Sequence, residues 1–91
     1  MGLEEQAERP ERYMVLLLND NFTTMEFVIE ILETVFHKPH GEAVKIMLEV
    51  HRNGRGVAGV YVRQIAETKA ATVHRIARAE GFPLRCEVLP E

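Results

Sequence analysis

A chain of 91 residues with 46% hydrophobic and 27% charged side chains can build one core but not two, and its composition excludes wholesale disorder. Fourteen acids against eleven bases leave a net charge near −3, and without a basic run there is no reason to expect a nucleic-acid partner. The longest apolar run, Met14 to Leu18, is far too short to span a membrane and follows no leader-like basic stretch, while the single cysteine, Cys86, fits a reducing, cytoplasmic compartment.

Residues 1–12 are rich in Glu, Gln and Arg, contain Pro10 and carry no apolar period; they read as a flexible tail before a folded domain over 13–91. Tyr13 to Leu18 is apolar on both faces, as a strand covered on two sides would be. Asn19-Asp20-Asn21 ends it, because these side chains form Asx turns that compete with ladder hydrogen bonds. Thr23 and Glu26 have capping-box spacing, and Phe22 and Phe27 stand where a hydrophobic staple places them, which predicts a helix start at Thr23. Phe27, Val28, Ile31, Leu32 and Val35 follow the helical period, and Pro39 is the expected stop. A second helix is predicted over about Glu42 to His51, with Ala43, Ile46, Met47 and Val50 on one side and Asn53-Gly54 at its end. Val57 to Val62, rich in β-branched residues, predicts a strand. Ala66, Ala70, Val73 and Ala77 recur at helical intervals along a third helix, with Glu67 in its first turn, Arg75 and Arg78 near its last, and Gly81 and Pro83 closing it. Leu84 to Leu89 alternates as a final strand. The order β-α-α-β-α-β predicts an α+β fold, a small and mainly antiparallel three-stranded sheet packed against three helices.

The chemistry concentrates at one end of this arrangement. Met47, Val50 and His51 share one helix face, and Met25 and Val28 are neighbours on the first turns of the preceding helix. If the two helices pack as a hairpin, an apolar hollow forms with Asn19, Asn21 and His51 at its rim beside Asp20. Amide oxygens, a carboxylate and a neutral imidazole are acceptors, so the rim suits a ligand with an apolar body and a donating head, an amine more than a phosphate. Each feature also has a plain structural use, as a turn, as core, or as a histidine meeting carbonyls at a helix end. An enzyme built on His51 and Asp20 with Cys86 as nucleophile finds nothing that brings Cys86 to His51, and no catalytic residue is expected. A metal site starting from His37 and His40, with His51 or His74 in reserve, gathers too few ligands, so no metal or other cofactor is expected.

Together the segments Tyr13 to Phe27 (YMVLLLNDNFTTMEF), Ile46 to His51 (IMLEVH), Gly59 to Tyr61 (GVY), Ala66 to Lys69 (AETK) and Pro83 to Cys86 (PLRC) resemble ClpS, the N-degron adaptor of the bacterial and plastid Clp protease system. Several blocks in one order are much more specific than any one of them. The resemblance implies a monomeric adaptor that binds proteins beginning with Leu, Phe, Tyr or Trp and delivers them to a ClpA-type AAA+ unfoldase. By position it implies that Asn19, Asn21, His51 and Asp20 meet the substrate's α-amino group. Leu17, Thr23, Met25, Val28, Met47, Val50 and Leu84 would line the pocket for the first side chain, with Met25 as a gatekeeper against β-branched Ile and Val. Lys69 and Gln64 fall in the segment that docks on the unfoldase.

The sequence departs from the family's usual pattern at three places. Asn21 stands where an aspartate is usual, which removes a charge from the amine site and predicts weaker or altered recognition. Gln64 replaces a common docking glutamate, and Thr24 a common proline that a helix start readily loses. These departures fit a divergent copy of the adaptor. The competing expectation keeps the fold but not the pocket: a domain that regulates the unfoldase with weak or no N-degron binding.

Overall fold

Strands and helices fall where the periodicities place them. The computed structural model describes residues 11–91, and over them runs β1 (Arg12–Leu18), α1 (Met25–Thr34), α2 (His40–Asn53), β2 (Arg55–Val62), α3 (Arg63–Glu80) and β3 (Arg85–Pro90). The expected tail over 1–12 falls almost wholly outside the described residues; Arg12 already belongs to β1, opposite Val62. β1 is the central strand of an antiparallel sheet ordered β2-β1-β3. The α+β class and the element order are those the sequence predicts.

The core accounts for the apolar periods. Phe27, Val28, Ile31 and Leu32 of α1, Ala43, Ile46, Met47 and Val50 of α2, and Ala66, Ala70, Val73 and Ala77 of α3 are the buried residues of the three helices. They close on one face of the sheet, where Val15 and Leu17 are fully buried and Tyr13, Tyr61, Cys86 and Val88 pack at the margin. The opposite face of β1, Met14, Leu16 and Leu18, lies outside this core. Its register partners include Val57 and Leu89, both exposed. The two-sided cover expected for Tyr13 to Leu18 is therefore not realised. A continuous apolar run marks a central strand here, and Leu16 is sheltered by its neighbours β2 and β3 more than by a second layer.

Four local readings change with the structure. The N-cap of α1 is Thr24, whose hydroxyl accepts from the Phe27 N–H at 3.1 Å; the Thr23 hydroxyl instead donates to Asp20 at 2.7 Å. Phe22 forms no staple. It is 77% exposed, and Phe27 instead stacks on Phe82 with ring centroids 4.7 Å apart. Pro39 does not stop α1, which ends at Thr34. The chain leaves it through His37 in the left-handed region (φ 55°), with the Lys38 N–H returning to the Leu32 carbonyl at 3.0 Å. Pro39 then serves as the N-cap of α2, where its missing N–H costs no hydrogen bond. α3 begins at Arg63, so Glu67 lies beyond its first turn, ion-paired with Arg63 at 3.1 Å.

Candidate functional site

The mouth of the α1–α2 hairpin is built by hydrogen bonds between distant parts of the chain. α2 is capped by Gly54, whose φ of 90° favours a residue without a β-carbon, and the Gly54 N–H donates to the Val50 carbonyl at 3.0 Å. The Gly54 carbonyl accepts in turn from the Asn19 N–H at 2.9 Å. This bond brings the end of β1 against the last turn of α2 and so sets Asn19 beside His51. The tie is missing from the sequence reading, although a glycine directly after a helical period signals the left-handed cap that makes it.

Asp20 fixes the rest of the loop. Oδ1 accepts from the Phe22 and Thr23 N–H groups at 2.8 and 2.7 Å, and Oδ2 accepts from the Thr23 hydroxyl. Burial pushes the Asp20 carboxyl up, but the hydrogen bonds from Thr23 and Phe22 outweigh it and hold the group below the ordinary carboxylate range. Asp20 and Thr23 are thus engaged with each other. Asn19, Asn21 and His51 are exposed, and among the described residues no side-chain hydrogen bond engages them.

These groups surround a cavity of about 230 Å³. Its polar wall is Asn19, Asp20, Asn21, Thr23 and His51; its apolar wall is Val28, Met47 and Val50, all buried, with Met25 at the lip, 46% exposed. Sites for drug-sized ligands run to about 300–1,000 Å³, so this one is matched to a single side chain more than to a cofactor. The structure therefore brings together nine of the eleven residues that the sequence assigns to the amine and pocket sites. Leu17 and Leu84 are not on the wall: they lie behind it, 0% and 3% exposed, in the core.

The residues expected to dock on the unfoldase lie elsewhere. Gln64 and Lys69 border a groove of about 560 Å³ between the end of α1 and α3, with Ile65 48% exposed beside them. Lys69 is part-buried. Its ammonium donates to the Val35 carbonyl at 2.7 Å, satisfying the end of α1, and lies 5.4 Å above the Tyr61 ring.

The residues of the other readings are dispersed. Cys86 lies on β3 opposite Leu17, and burial pushes its thiol up to about 12, the reverse of an activated nucleophile. Its N–H donates to His74 Nε2 at 2.9 Å. His40 faces Glu33 at 2.6 Å, and among the described residues no three His, Cys, Asp or Glu side chains converge on a metal position. No helix among the described residues is long and apolar enough to cross a membrane.

A small α+β domain with an open cleft, apolar within and lined at the mouth by unengaged acceptors, is a binding module. The sequence model of the ATP-dependent Clp protease adaptor protein ClpS matches residues 8–87. A relative of that name from Lawsonia intracellularis is 60% identical over 84 residues, 92% of this chain and 77% of the relative. Another, from Desulfatibacillum aliphaticivorans, is 55% identical over 87 residues, covering 96% and 84%. Among solved structures, Agrobacterium tumefaciens ClpS2 bound to L-phenylalaninamide superposes with a TM-score of 0.87 at 41% identity, covering 91% of this chain and 100% of that one. The chain belongs to the ClpS family of Clp protease adaptors, and its function is that of an adaptor, not an enzyme.

Proposed function

We propose that the α1–α2 cleft grips the free amino terminus of substrate proteins, with the first side chain (Leu, Phe, Tyr or Trp) in the cavity, for delivery to a ClpA-type unfoldase in the cytoplasm. The observation that carries this reading is the pairing, in one cavity, of the apolar wall Met25, Val28, Met47 and Val50 with the unengaged acceptors Asn19, Asn21 and His51. An α-ammonium is all donor, and the mouth offers it amide oxygens and an imidazole nitrogen. L-phenylalaninamide, the ligand of the Agrobacterium relative, has the same two parts, an α-amino group and a benzyl side chain. Asp20 contributes negative charge and holds the loop, while Leu17 and Leu84 back the wall. The adaptor acts as a monomer, and Gln64, Ile65 and Lys69 form the face that meets the unfoldase.

The magnitudes are compatible with a releasing adaptor. Burying a large apolar side chain contributes about 1.5–3 kcal/mol, and each hydrogen bond to a charged group about 1.5–3 kcal/mol. Less the cost of association, this corresponds to affinity of roughly micromolar order. The test is fluorescence anisotropy with a labelled Phe-initial peptide, its acetylated counterpart and a His51→Ala variant. The free peptide binds; acetylation and His51→Ala each weaken it at least about tenfold, the loss of one charged hydrogen bond. Equal binding of free and acetylated peptides would overturn the reading and favour a domain that only regulates its unfoldase.

A further inference from the structure

The last turns of α3 and the start of β3 are folded against each other and tied at two points. Gly81, in the left-handed region at φ 83°, turns the chain: its N–H donates to the Arg78 carbonyl at 3.2 Å, and the Phe82 N–H donates to the Ala77 carbonyl at 2.9 Å. Further along, the Cys86 N–H donates to His74 Nε2 at 2.9 Å and latches β3 to α3. Beside these ties lies a hollow of about 460 Å³, lined by His74, Arg78 and Arg85 with Phe82, Pro83 and Leu84 as its apolar side. It shares no lining residue with the α1–α2 cleft.

The polar side chains of this hollow are donors. Arg78 and Arg85 are exposed, and among the described residues neither takes part in an ion pair. His74 is set by its latch: Nε2 accepts, so in the neutral ring the proton sits on Nδ1, which is left to donate. No carboxylate lines the hollow. Asp20 borders a neighbouring hollow with Arg85, but its oxygens accept from Phe22 and Thr23. Among the described residues Glu80 and Glu87, the acids next along the chain, pair with neither arginine. The Ala77 and Arg78 carbonyls, which at a helix end oppose an anion, are already capped.

We propose that this hollow is a site for the phosphate monoester of a small molecule with an apolar, ring-like body. Two planar guanidinium forks and one imidazole N–H, from α3 and β3, match the three oxygens of a phosphate better than the two of a carboxylate. The apolar side receives the body of the ligand, with Phe82 held by its stack on Phe27 at 4.7 Å. Both ties are internal to the chain, so binding does not have to order the backbone of the site. The arginines are exposed, so affinity is modest, of about millimolar order, and falls with salt.

The experiment is a nitrogen-15 shift titration of the full chain at fixed ionic strength and pH about 7.5, where a phosphate monoester is mostly dianionic. The probes are phenyl phosphate, benzoate, inorganic phosphate and a short phosphoserine peptide. Phenyl phosphate gives saturable shifts at the amides of Arg78, Phe82, Arg85 and Cys86 and binds about three- to tenfold tighter than benzoate. It also binds tighter than inorganic phosphate or the phosphopeptide. Arg78→Ala and Arg85→Ala, both at exposed positions, each weaken it about three- to tenfold. Two-bond imidazole correlations show His74 as the Nδ1–H tautomer. Benzoate bound equally well overturns the phosphate assignment, and a tighter phosphopeptide overturns the small-molecule body. Shifts that stay unsaturated at about 20 mM phenyl phosphate, that persist in the double alanine variant, or that centre on the α1–α2 cleft remove the site. A proton found on Nε2 removes His74 as its third donor.

Discussion

Replacing Asn21 by Asp adds a carboxylate to the polar wall of the cleft, and its position sets how large the effect is. Asn21 is exposed on the polar wall, beside Asn19 and the Asp20 carboxylate and three residues before the Thr24 cap of α1. A carboxylate about 4–6 Å from an ammonium at an effective dielectric between about 20 and 80 gains about 0.7–4 kcal/mol. Exposure discounts that to about 0.3–1 kcal/mol. The positive end of α1 steadies the new carboxylate in the free protein, while Asp20 opposes it. The expected outcome is a Phe-initial peptide bound roughly two- to fivefold tighter at about 50 mM salt, with the gain largely gone near 0.5 M. Isothermal titration of wild type and Asn21→Asp with the same peptide measures it. Unchanged or weaker affinity at low salt refutes the idea that the amine and Asn21 are neighbours.

Other expectations follow from the same contacts. Asp20→Ala removes the acceptor of three loop hydrogen bonds and lowers stability by about 1–3 kcal/mol in urea denaturation; an unchanged midpoint contradicts the tethering role. Because the folded-state pKa of Asp20 is depressed, its stabilisation is complete above the unfolded value of about 4 and is lost as pH falls through the folded one. The Asp20→Asn difference in stability therefore shrinks on strong acidification, and a pH-independent difference excludes the linkage. A β-carbon on Gly59 meets the Tyr61 ring, 2.6 Å from Cε2, so Gly59→Ala must displace the ring beneath Lys69 at a cost of about 1–3 kcal/mol. Thermal melts that overlay the wild type show that the ring moves freely.

Much of the fold was legible because burial and period coincide. The twelve buried residues of the three helices are positions that the helical period marks. The misreadings occur where a nearby tertiary partner outbids a local motif. Thr23 and Thr24 are equally good caps by type; the Asp20 carboxylate takes the first and leaves the second to α1. Phe22 and Phe27 have staple spacing, but Phe82, sixty residues from Phe22 along the chain, is the better partner for Phe27. Pro39 signals a helix boundary correctly and its side wrongly, since a residue that cannot donate suits a helix start as well as it bars a helix interior.

The candidate site divides in the same way. Met25, Val28, Met47, Val50 and His51 can be placed on facing helices from spacing alone. Leu17 and Leu84 could not be separated from the wall, because distinguishing a lining residue from the one behind it needs the third dimension. The Asn19–Gly54 bond that joins the two halves links segments more than thirty residues apart, and no period records it.

The most direct test is a nitrogen-15 chemical-shift titration of the full chain with L-phenylalaninamide. The account predicts saturable shifts centred on the amides of Asn19, Asn21, Met25, Val28, Met47, Val50 and His51, with the groove beside Gln64 and Ile65 unmoved. Shifts centred on that groove instead, or none at millimolar ligand, contradict it.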